Sequence, residues 1–314
     1  MVLFYILLLT IGWTAGCPDE EVPPCKCTLI GFHSSTIDCT NVDNVDTFRT
    51  SIYNIRTSIT PIRALHILNS NILYLPSGLF DGLAFERLVI DNSTIMSLSD
   101  SDTALVGLEK SLKTLIIQEC TVLNGLDWYQ LRNLEALREL TTLKTGMMAI
   151  DDEVKGIAGL NLTKLMLTQD QISYISENAF STFHYLETLS LKYNLISNMT
   201  RSMFPNPANK LVQIILSHNK ISSLPSDFFT NMPSLISVIL AGNEFLTLDQ
   251  ALFAPIWKNL NKIDVVGNAL RCDCRMKWLL AQSFPRNTWG SCDEPKQLNG
   301  KDLVNLSESE LWCY

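Results

Sequence analysis

Charged residues are scarce in this chain, and positive charges are scarcer than negative ones. Only 18% of the 314 residues are charged, and 24 Lys and Arg stand against 32 Asp and Glu, for a net charge of −8. Nucleic acids and anionic membrane surfaces are bound through clustered cations, and the sequence contains no basic run. We therefore expect no nucleic acid and no anionic lipid among the partners of this protein.

Catalytic motifs are also missing from the sequence. It contains no glycine-rich phosphate loop, no nucleophile elbow and no zinc-protease helix motif. The acidic triplet at 151–153 is more typical of a solvated turn than of a calcium site. These observations predict a protein that is not an enzyme, with no cofactor and no metal site.

Long apolar runs are limited to the first residues. The run from Leu3 to Ile11 is shorter than the roughly 20 residues that span a bilayer, and small residues follow it before Cys17. A transmembrane anchor and a bacterial lipoprotein signal are the alternatives, but the pattern is most typical of a secretory signal peptide cleaved before Cys17. No second run of spanning length follows, so we predict a secreted, extracellular protein without an integral membrane anchor, in which disulfides are stable.

Cysteines are nearly absent from the middle of the chain, where Cys120 stands alone. The other eight form one group near each end, and four cysteines permit three pairings within each group. Zinc binding is the alternative, but Cys-x-Cys is not a usual ligand spacing. We predict a disulfide-stapled cap at each end, formed by Cys17, Cys25, Cys27 and Cys39, and by Cys272, Cys274, Cys292 and Cys313.

A repeated frame occupies the region between these groups. It runs apolar, two others, apolar, one other, apolar, two others, and then a small polar residue, as in Ile62 to Ser70. Nine such frames in register predict stacked repeats that bury a shared core. The frames end at Ser70, Ser93, Cys120, Thr145, Asp170, Asn194, Asn219, Asn243 and Asn268, at spacings of about 23 to 27 residues.

The outer part of each repeat differs along the chain. Five repeats place a Phe ten residues after the frame, which predicts an aromatic spine, whereas repeats two to four have Thr103, Gln130 and Lys155 there. We expect irregular outer turns in those three repeats. The spine residues are Phe80, Phe180, Phe204, Phe229 and Phe253.

These features resemble the extracellular leucine-rich-repeat family over nearly all of the chain after residue 16. Pro24-Cys25-Lys26-Cys27 is similar to the N-terminal cap of that family, and 268–274 with Trp278-Leu279 to its C-terminal cap, although Ala269-Leu270 replaces the usual Pro-Trp. The resemblance implies an α/β solenoid, a horseshoe with a parallel sheet on its concave face. It also implies the pairings Cys17–Cys27, Cys25–Cys39, Cys272–Cys292 and Cys274–Cys313.

The resulting organisation has four parts. Residues 1–16 are the predicted signal peptide, 17–61 the N-terminal cap and entry segment, 62–268 the nine repeats, and 269–314 the C-terminal cap. We call the last residue of each frame its rung. In this family the rung Asn faces inward and bonds to backbone groups of neighbouring turns.

The rungs divide the repeats into two sets, because the last four are Asn and the first five are Ser, Ser, Cys, Thr and Asp. Shorter side chains reach less far, so we predict weaker hydrogen-exchange protection in repeats one to five. Cys120 is either a free reactive thiol or a buried rung in an Asn-like place. Its position in the frame favours the buried, inert rung.

The residue between the two strand apolars of each frame should face solvent on the concave side. Several of these residues are apolar, which predicts a protein-binding stripe along repeats two to eight; the β-propensity of Val and Ile is the alternative explanation. Tyr193 is the expected anchor, because aromatic residues dominate interface hot spots. The predicted partner-binding residues are Val89, Ile116, Met166, Lys192, Tyr193, Ile215, His218 and Ile239.

Four Asn-x-Ser/Thr sequons occur, at Asn92, Asn161, Asn198 and Asn305. All four are predicted glycan sites, and three of them, Asn161, Asn198 and Asn305, fall on turns or in the C-terminal cap. Asn92 lies on the inner-face side, just before a rung. A glycan at Asn92 would shield the early part of the stripe and shift binding towards repeats five to eight.

Taken together, the sequence favours a secreted, non-enzymatic recognition protein that binds another protein on its concave face. Its layout resembles secreted arthropod repeat proteins, a group that includes the non-catalytic subunit associated with decapod luciferase, and this implies a role in stabilising or carrying a separate catalytic chain. One alternative is a matrix or growth-factor-binding protein like the small leucine-rich proteoglycans, although the chain lacks a Ser-Gly-rich attachment tract. Another alternative is an immune pattern-recognition protein.

Overall fold

The computed structural model describes residues 17, 22–30, 34–56 and 61–313. The predicted signal peptide and His33 lie outside these residues. Within them the chain forms mainly short strands, in the order β1 (Cys25–Ile30), β2 (Ser34–Thr40), β3 (Ile62–Leu68), β4 (Asn71–Ile72), β5 (Arg87–Asp91), β6 (Thr94–Ile95), β7 (Thr114–Gln118), β8 (Thr121–Val122), β9 (Glu139–Leu143), β10 (Ala149–Ile150), β11 (Lys164–Thr168), β12 (Tyr174–Ile175), β13 (Thr188–Ser190), β14 (Gln213–Ile215), β15 (Ser237–Ile239), β16 (Lys262–Asp264) and β17 (Asn287–Trp289).

The helices are few and short. The α-helices of the described part are α1 (Val45–Ile55) in the N-terminal cap and α2 (Gln250–Trp257) on the outer side of repeat eight. Asn44 caps α1, because its Oδ1 accepts the backbone N–H groups of Asp46 and Thr47. The 3-10 helices are Trp128–Leu131, Asp152–Ile157, Arg201–Met203, Cys274–Ala281, Lys296–Leu298, Leu303–Asn305 and Glu308–Glu310.

One large sheet runs along the whole described chain. Its strand order is β1-β2-β3-β5-β7-β9-β11-β13-β14-β15-β16-β17, and every pair is parallel except the antiparallel pair β1–β2. The register joins equivalent frame positions, so that Leu165 pairs with Leu140 on one side and with Leu189 on the other. The predicted leucine-rich-repeat solenoid with a parallel sheet is confirmed.

The frame residues explain which side of this sheet is covered. Successive side chains of a strand point to opposite sides. In β11, Leu165 and Leu167 are therefore fully buried in the interior, whereas Met166 between them is half-buried on the outward side. We call the outward side of the large sheet the sheet face.

Phenylalanine rings line the interior behind the sheet in the later repeats. The rings of Phe180 and Phe204 have centroids 6.2 Å apart, Phe204 and Phe228 5.6 Å, and Phe229 and Phe253 5.9 Å. All of these residues are buried. Contacts of this kind add about 0.5–1.5 kcal/mol each to the free energy of burial.

The outer turns of repeats two to four contain no such Phe and use polar contacts instead. Gln130 is buried, its Oε1 accepts a hydrogen bond from the Ser97 hydroxyl, and its Nε2 donates to the carbonyl oxygens of Ser99 and Ser101. The 3-10 helices Trp128–Leu131 and Asp152–Ile157 complete the turns of repeats three and four.

Two small parallel sheets lie where the chain leaves the large sheet. Strands β4, β6 and β8 form one of them in repeats one to three, and β10 and β12 form the other in repeats four and five. Each of these strands begins one or four residues after a rung. We call this side of the solenoid, formed by the residues that follow the rungs, the flank.

Four disulfide bonds close the two ends of the chain, in the same pairings that the resemblance implies: Cys17–Cys27, Cys25–Cys39, Cys272–Cys292 and Cys274–Cys313. In the C-terminal cap, the Trp278 indole N–H donates to the carbonyl oxygen of Leu248. The Trp278 ring packs edge-on against Trp257 of α2. No helix in the described ranges is long and apolar enough to cross a membrane.

Candidate protein-binding face

The predicted stripe lies on the sheet face, one residue per strand. Val89, Ile116, Met166, Ile215 and Ile239 are all half-buried. Stripe residues of neighbouring strands lie directly opposite each other, since Val89 pairs with Ile116 and Ile215 pairs with Ile239. Neighbouring strands are about 4.8 Å apart, so the stripe has one side chain at each such interval.

The stripe is interrupted in its middle. Thr141 separates Ile116 from Met166, and Ser190 lies between Met166 and Ile215 in the register. Ser190 is completely buried between these larger neighbours, so our expectation that it faces solvent is wrong. Its hydroxyl has no hydrogen-bond partner within the described residues. The apolar surface therefore consists of two short segments, in repeats two to three and seven to eight, with Met166 between them.

A second row of side chains borders the sheet face. The residue just before each rung has a positive φ, which aims its side chain away from the strand. Its backbone N–H continues the sheet ladder, as in the bonds from Tyr193 to the Ser217 carbonyl (2.8 Å) and from His218 to the Ala241 carbonyl (2.7 Å). The row comprises Asn69, Asn92, Glu119, Lys144, Gln169, Tyr193, His218, Gly242 and Gly267.

Tyr193 and His218 are the aromatic pair of this row. Their rings are stacked with centroids 4.3 Å apart and an angle of 3° between the planes. Tyr193 is 48% exposed and His218 is also exposed. The prediction placed both residues in adjacent turns, and the structure brings their rings into direct contact.

Gly242 supports the other side of this stack. A Cβ built on Gly242 would lie 2.4 Å from the Nδ1 atom of His218, so the imidazole rests against the glycine backbone. A side chain at Gly242 would displace the imidazole, and its φ of +67° also favours glycine. Tyr193, His218 and Gly242 thus form a flat, partly preorganised aromatic surface.

Charged side chains surround this surface without forming a reactive cluster. Lys192 places its Nζ 5.9 Å from the centroid of the Tyr193 ring. Lys144 pairs with Glu119 at 2.7 Å and Lys164 with Glu139 at 2.5 Å. These pairs are exposed, so each contributes at most about 1 kcal/mol to stability.

Trp289 belongs to the sheet face, although it lies in the segment 269–314 that is predicted as the C-terminal cap. It lies on β17, opposite Asp264 in the register, and is 44% exposed. Lys262 places its Nζ 4.8 Å from the centroid of the indole ring. The repeat period could have predicted this position, because Trp289 follows Asp264 by 25 residues, the usual spacing between neighbouring repeats, and pairs with it in the register.

The four sequon asparagines are all exposed. Asn92 donates from Nδ2 to Oδ1 of Asn69 at 2.8 Å, within the row that borders the sheet face. Asn198 lies on the flank of repeat six, Asn161 on a turn and Asn305 in the C-terminal cap. Glycosylation of these residues stays a prediction.

Cys120 occupies its rung as a buried thiol, with no disulfide partner in the described part of the chain. Its Sγ–H is directed at the carbonyl oxygens of Gln118 (3.1 Å) and Ile90 (3.4 Å). Burial raises the pKa of the thiol to about 11, so the thiolate required for reaction is nearly absent at neutral pH. This environment supports the inert rung rather than the reactive thiol.

The three histidines that the structure describes do not come together. His66 lies on β3 with its Nδ1 2.8 Å from Oδ1 of Asp38, six strands along the sheet from the repeat of His218, and His184 lies on an outer turn. Among the residues described, no three His, Cys, Asp or Glu side chains are grouped so that they could hold a metal ion. The acidic triplet begins the 3-10 helix Asp152–Ile157, where Asp151 Oδ1 caps the Glu153 N–H and Asp152 pairs with Lys155.

Several known proteins are similar to this chain, although no family model matches it. Mouse Toll-like receptor 9 is 30% identical over 46% of the chain, and Tsukushi-A of Xenopus laevis is 29% identical over 48%. The Oplophorus-luciferin 2-monooxygenase non-catalytic subunit of Oplophorus gracilirostris is 21% identical over 93% of the chain. The matches span 14%, 43% and 86% of these three proteins, respectively. The relatives are leucine-rich-repeat proteins and a non-catalytic subunit, so the resemblance to that family is confirmed.

Proposed function

We propose that this chain is a secreted, non-enzymatic recognition protein that binds a protein partner on the sheet face of repeats five to eight. The observation that carries the proposal is the Tyr193–His218 stack resting on Gly242. The stack is exposed, flat and held in place before any partner arrives, and such aromatic surfaces bind with little loss of conformational entropy. Ile215 and Ile239 lie beside it and extend the apolar contact area.

We further propose that the partner is a separate catalytic chain, which this protein carries or stabilises. The support is the alignment with the luciferase non-catalytic subunit, which extends over most of both chains, whereas the Toll-like receptor and Tsukushi matches cover about half of this one. The name of that relative describes a subunit that accompanies an enzyme without performing the reaction. Matrix and immune recognition are the competing functions.

The test is affinity capture from the native secretion with immobilised wild-type protein and three variants. Tyr193→Ala removes the stack, Gly242→Ala displaces the His218 ring, and Tyr185→Ala is a matched control because Tyr185 is 54% exposed on an outer turn. We expect the partner to bind wild type and Tyr185→Ala equally. Loss of a hot spot of about 2 kcal/mol should weaken binding about 30-fold in Tyr193→Ala.

Gly242→Ala needs its own control, because an alanine at positive φ is strained wherever it is placed. Gly82 has a φ of +76° and open space around its Cβ position, so Gly82→Ala shares the backbone strain without touching the stack. Equal binding by Gly242→Ala and Gly82→Ala would exclude the preorganised stack. Capture of a matrix component or a microbial glycan instead of an enzyme would contradict the carrier function but leave the binding face intact.

A further inference from the structure

A row of large apolar side chains is exposed on the flank of repeats one to four. Its members each lie three residues after a rung, outside the strands. The exposed fractions of Leu73, Met96, Leu123 and Met148 are 58%, 40%, 57% and 67%. We call these four residues the flank ridge.

Backbone hydrogen bonds join the first three ridge residues from repeat to repeat. Met96 N–H donates to the Leu73 carbonyl at 3.0 Å, and Asn124 N–H donates to the Met96 carbonyl at 3.2 Å. Leu123 and Met148 line the same cavity. Hydrogen-bonded strands lie about 4.8 Å apart, so Leu73, Met96 and Leu123 extend over roughly 10 Å.

The fold itself does not require these side chains. The equivalent positions of repeats five to seven are Ser173, Ser197 and Ser222, in the same kind of turn. None of the ridge residues is β-branched, so strand propensity does not explain them either. Soluble proteins rarely expose a contiguous apolar row unless it binds something.

A cavity of about 430 Å³ lies within the ridge, between Leu123 of repeat three and Met148 of repeat four. The small sheet β4-β6-β8 ends at this point, and the gap beyond β8 leaves the cavity open. Leu126 and Met147 line its wall and the buried Trp128 its base, while Asp151 and Glu153 contribute carboxylates to the lining.

The charge around this cavity is negative. The lysines of this region are already paired, Lys144 with Glu119 and Lys155 with Asp152. Glu153 forms no ion pair with any residue that the structure describes. A second copy of the same surface would bring like charges together, whereas a cationic partner would be attracted.

We propose that the flank ridge is a docking surface for a cationic amphipathic helix of a partner protein. A helix presents apolar side chains at i, i+3 or i+4 and i+7, about one turn of 5.4 Å apart, which is close to the spacing along the ridge. Its apolar face lies along the ridge, and a Lys or Arg enters the cavity beside Asp151 and Glu153. This proposal does not depend on the function of the sheet face.

The experiment uses a synthetic 18-residue helix of Leu and Lys with one apolar face, and a scrambled peptide of the same composition, in fluorescence anisotropy with the full chain. The double variant Leu123→Ser with Met148→Ser should weaken binding at least tenfold. Leu246 provides the matched control, because it is 57% exposed at the same position of repeat eight, followed by Arg271 in repeat nine. Leu246→Ser should change the dissociation constant less than twofold.

The charge arm of the test is the pair Asp151→Asn with Glu153→Gln, which keeps a capping side chain at position 151. It should weaken binding at least threefold and reduce the salt dependence. Tyr193→Ala should leave peptide binding unchanged. Equal binding of the scrambled peptide, equal losses in the Leu123/Met148 and Leu246 variants, or dimerisation of the free chain that Leu123→Ser abolishes would overturn the proposal.

Discussion

The first and the last repeats join neighbouring turns at the rung in two different ways. In repeats one to three the rung carbonyl takes part, since Thr94 N–H donates to the Ser70 carbonyl and Thr121 N–H to the Ser93 carbonyl. The Ser93 hydroxyl adds one further bond, which it accepts from the Ser70 N–H. In repeats six to nine an Asn side chain is inserted, and Asn243 Oδ1 accepts the N–H of Ile221 at 3.1 Å. In both halves the N–H after the rung donates to a carbonyl of the preceding repeat. The halves differ in which carbonyl accepts that bond, and in how many backbone groups the rung side chain binds.

The difference shows that a small rung is not a weakened Asn. With Ser at the rung, the residue after it bonds to the rung carbonyl of the preceding repeat. With Asn, the donor is again the residue after the rung, but the accepting carbonyl lies two residues after the preceding rung, as in the bond from Lys220 N–H to Ile196. The Asn219 amide occupies the space between the backbones there and accepts the Ile196 N–H. The direct pairing of β4, β6 and β8 thus occurs where the rungs are Ser or Cys, and it stops before the Thr145 rung of repeat four.

Asp170 marks the boundary between the two arrangements. Its buried carboxylate accepts hydrogen bonds from the Thr142 hydroxyl and from both the hydroxyl and the N–H of Thr145. Its own N–H donates to Asn194 Oδ1. Asp170 therefore bonds to hydroxyl groups on the N-terminal side and to the Asn ladder on the C-terminal side.

The largest effect that would test this comparison is expected at the Asn rungs. Asn219→Ala leaves the Ile196 N–H and the carbonyls of Leu191 and Leu216 without that side chain, and we expect it to lower the free energy of unfolding by about 2–4 kcal/mol. Ser93→Ala removes the acceptor of a single inter-repeat bond, from Ser70 N–H, and should cost about 1 kcal/mol.

Urea unfolding followed by circular dichroism measures both values. Thr163→Ala, which removes a hydroxyl bond to the Arg138 carbonyl outside the rungs, is the control for loss of a side-chain hydrogen bond. Equal losses in Asn219→Ala and Ser93→Ala would remove the distinction between the two joints.

A smaller effect on the free energy of unfolding is expected when the pH is lowered, through Asp273 in the C-terminal cap. Hydrogen bonds from the Arg275 guanidinium hold the pKa of Asp273 below its ordinary value. Because the pKa of Asp273 is lower in the folded state, its carboxylate adds to the free energy of unfolding above about pH 4. This contribution is lost as the pH falls through the folded-state pKa. Asp273→Asn should therefore cost about 1–2 kcal/mol at pH 7 and less at pH 3.

The measurement is the urea midpoint of wild type and Asp273→Asn at both pH values. Asp293 lies in the same cap and is exposed, so Asp293→Asn controls for the removal of one negative charge. A difference between wild type and Asp273→Asn that does not shrink at pH 3 would contradict the role of the Asp273–Arg275 pair.

The smallest difference is expected in hydrogen exchange. The sequence analysis predicts weaker protection in repeats one to five, but the paired flank strands supply hydrogen bonds that the rung side chains do not. We expect the amides of Thr94 and Thr121 to exchange less than tenfold faster than those of Lys220 and Glu244, which bond to the carbonyls of Ile196 and Ile221. A larger ratio, measured by mass spectrometry on native protein, would restore the simpler view that short rungs loosen the first half.

The sequence was informative wherever one residue type recurs at one repeat position. The frame predicts that Leu165 and Leu167 are interior and that Met166 faces outward, because strand alternation leaves no other arrangement. It predicts Cys120 as a buried rung for the same reason. The repeat period places Tyr193 and His218 in adjacent turns, but it does not predict that their rings are stacked in parallel.

The features that the sequence did not predict depend on the spatial neighbours of a residue rather than on its own type. Ser190 is buried because Met166 and Ile215 are its neighbours in the register. Trp289 joins the sheet face because the cap contributes another strand. The flank ridge is visible only when residues three positions after each rung are compared for exposure.

The amino-acid sequence by itself determined the repeat, the parallel sheet and the side of each strand that is buried. Those properties follow from periodic burial of apolar side chains, which is a one-dimensional pattern. The tertiary structure decided which carbonyl accepts the N–H that follows each rung, and which exposed residues form one surface. These outcomes depend on distances between backbones of neighbouring repeats, and such distances are fixed only when the turns are stacked.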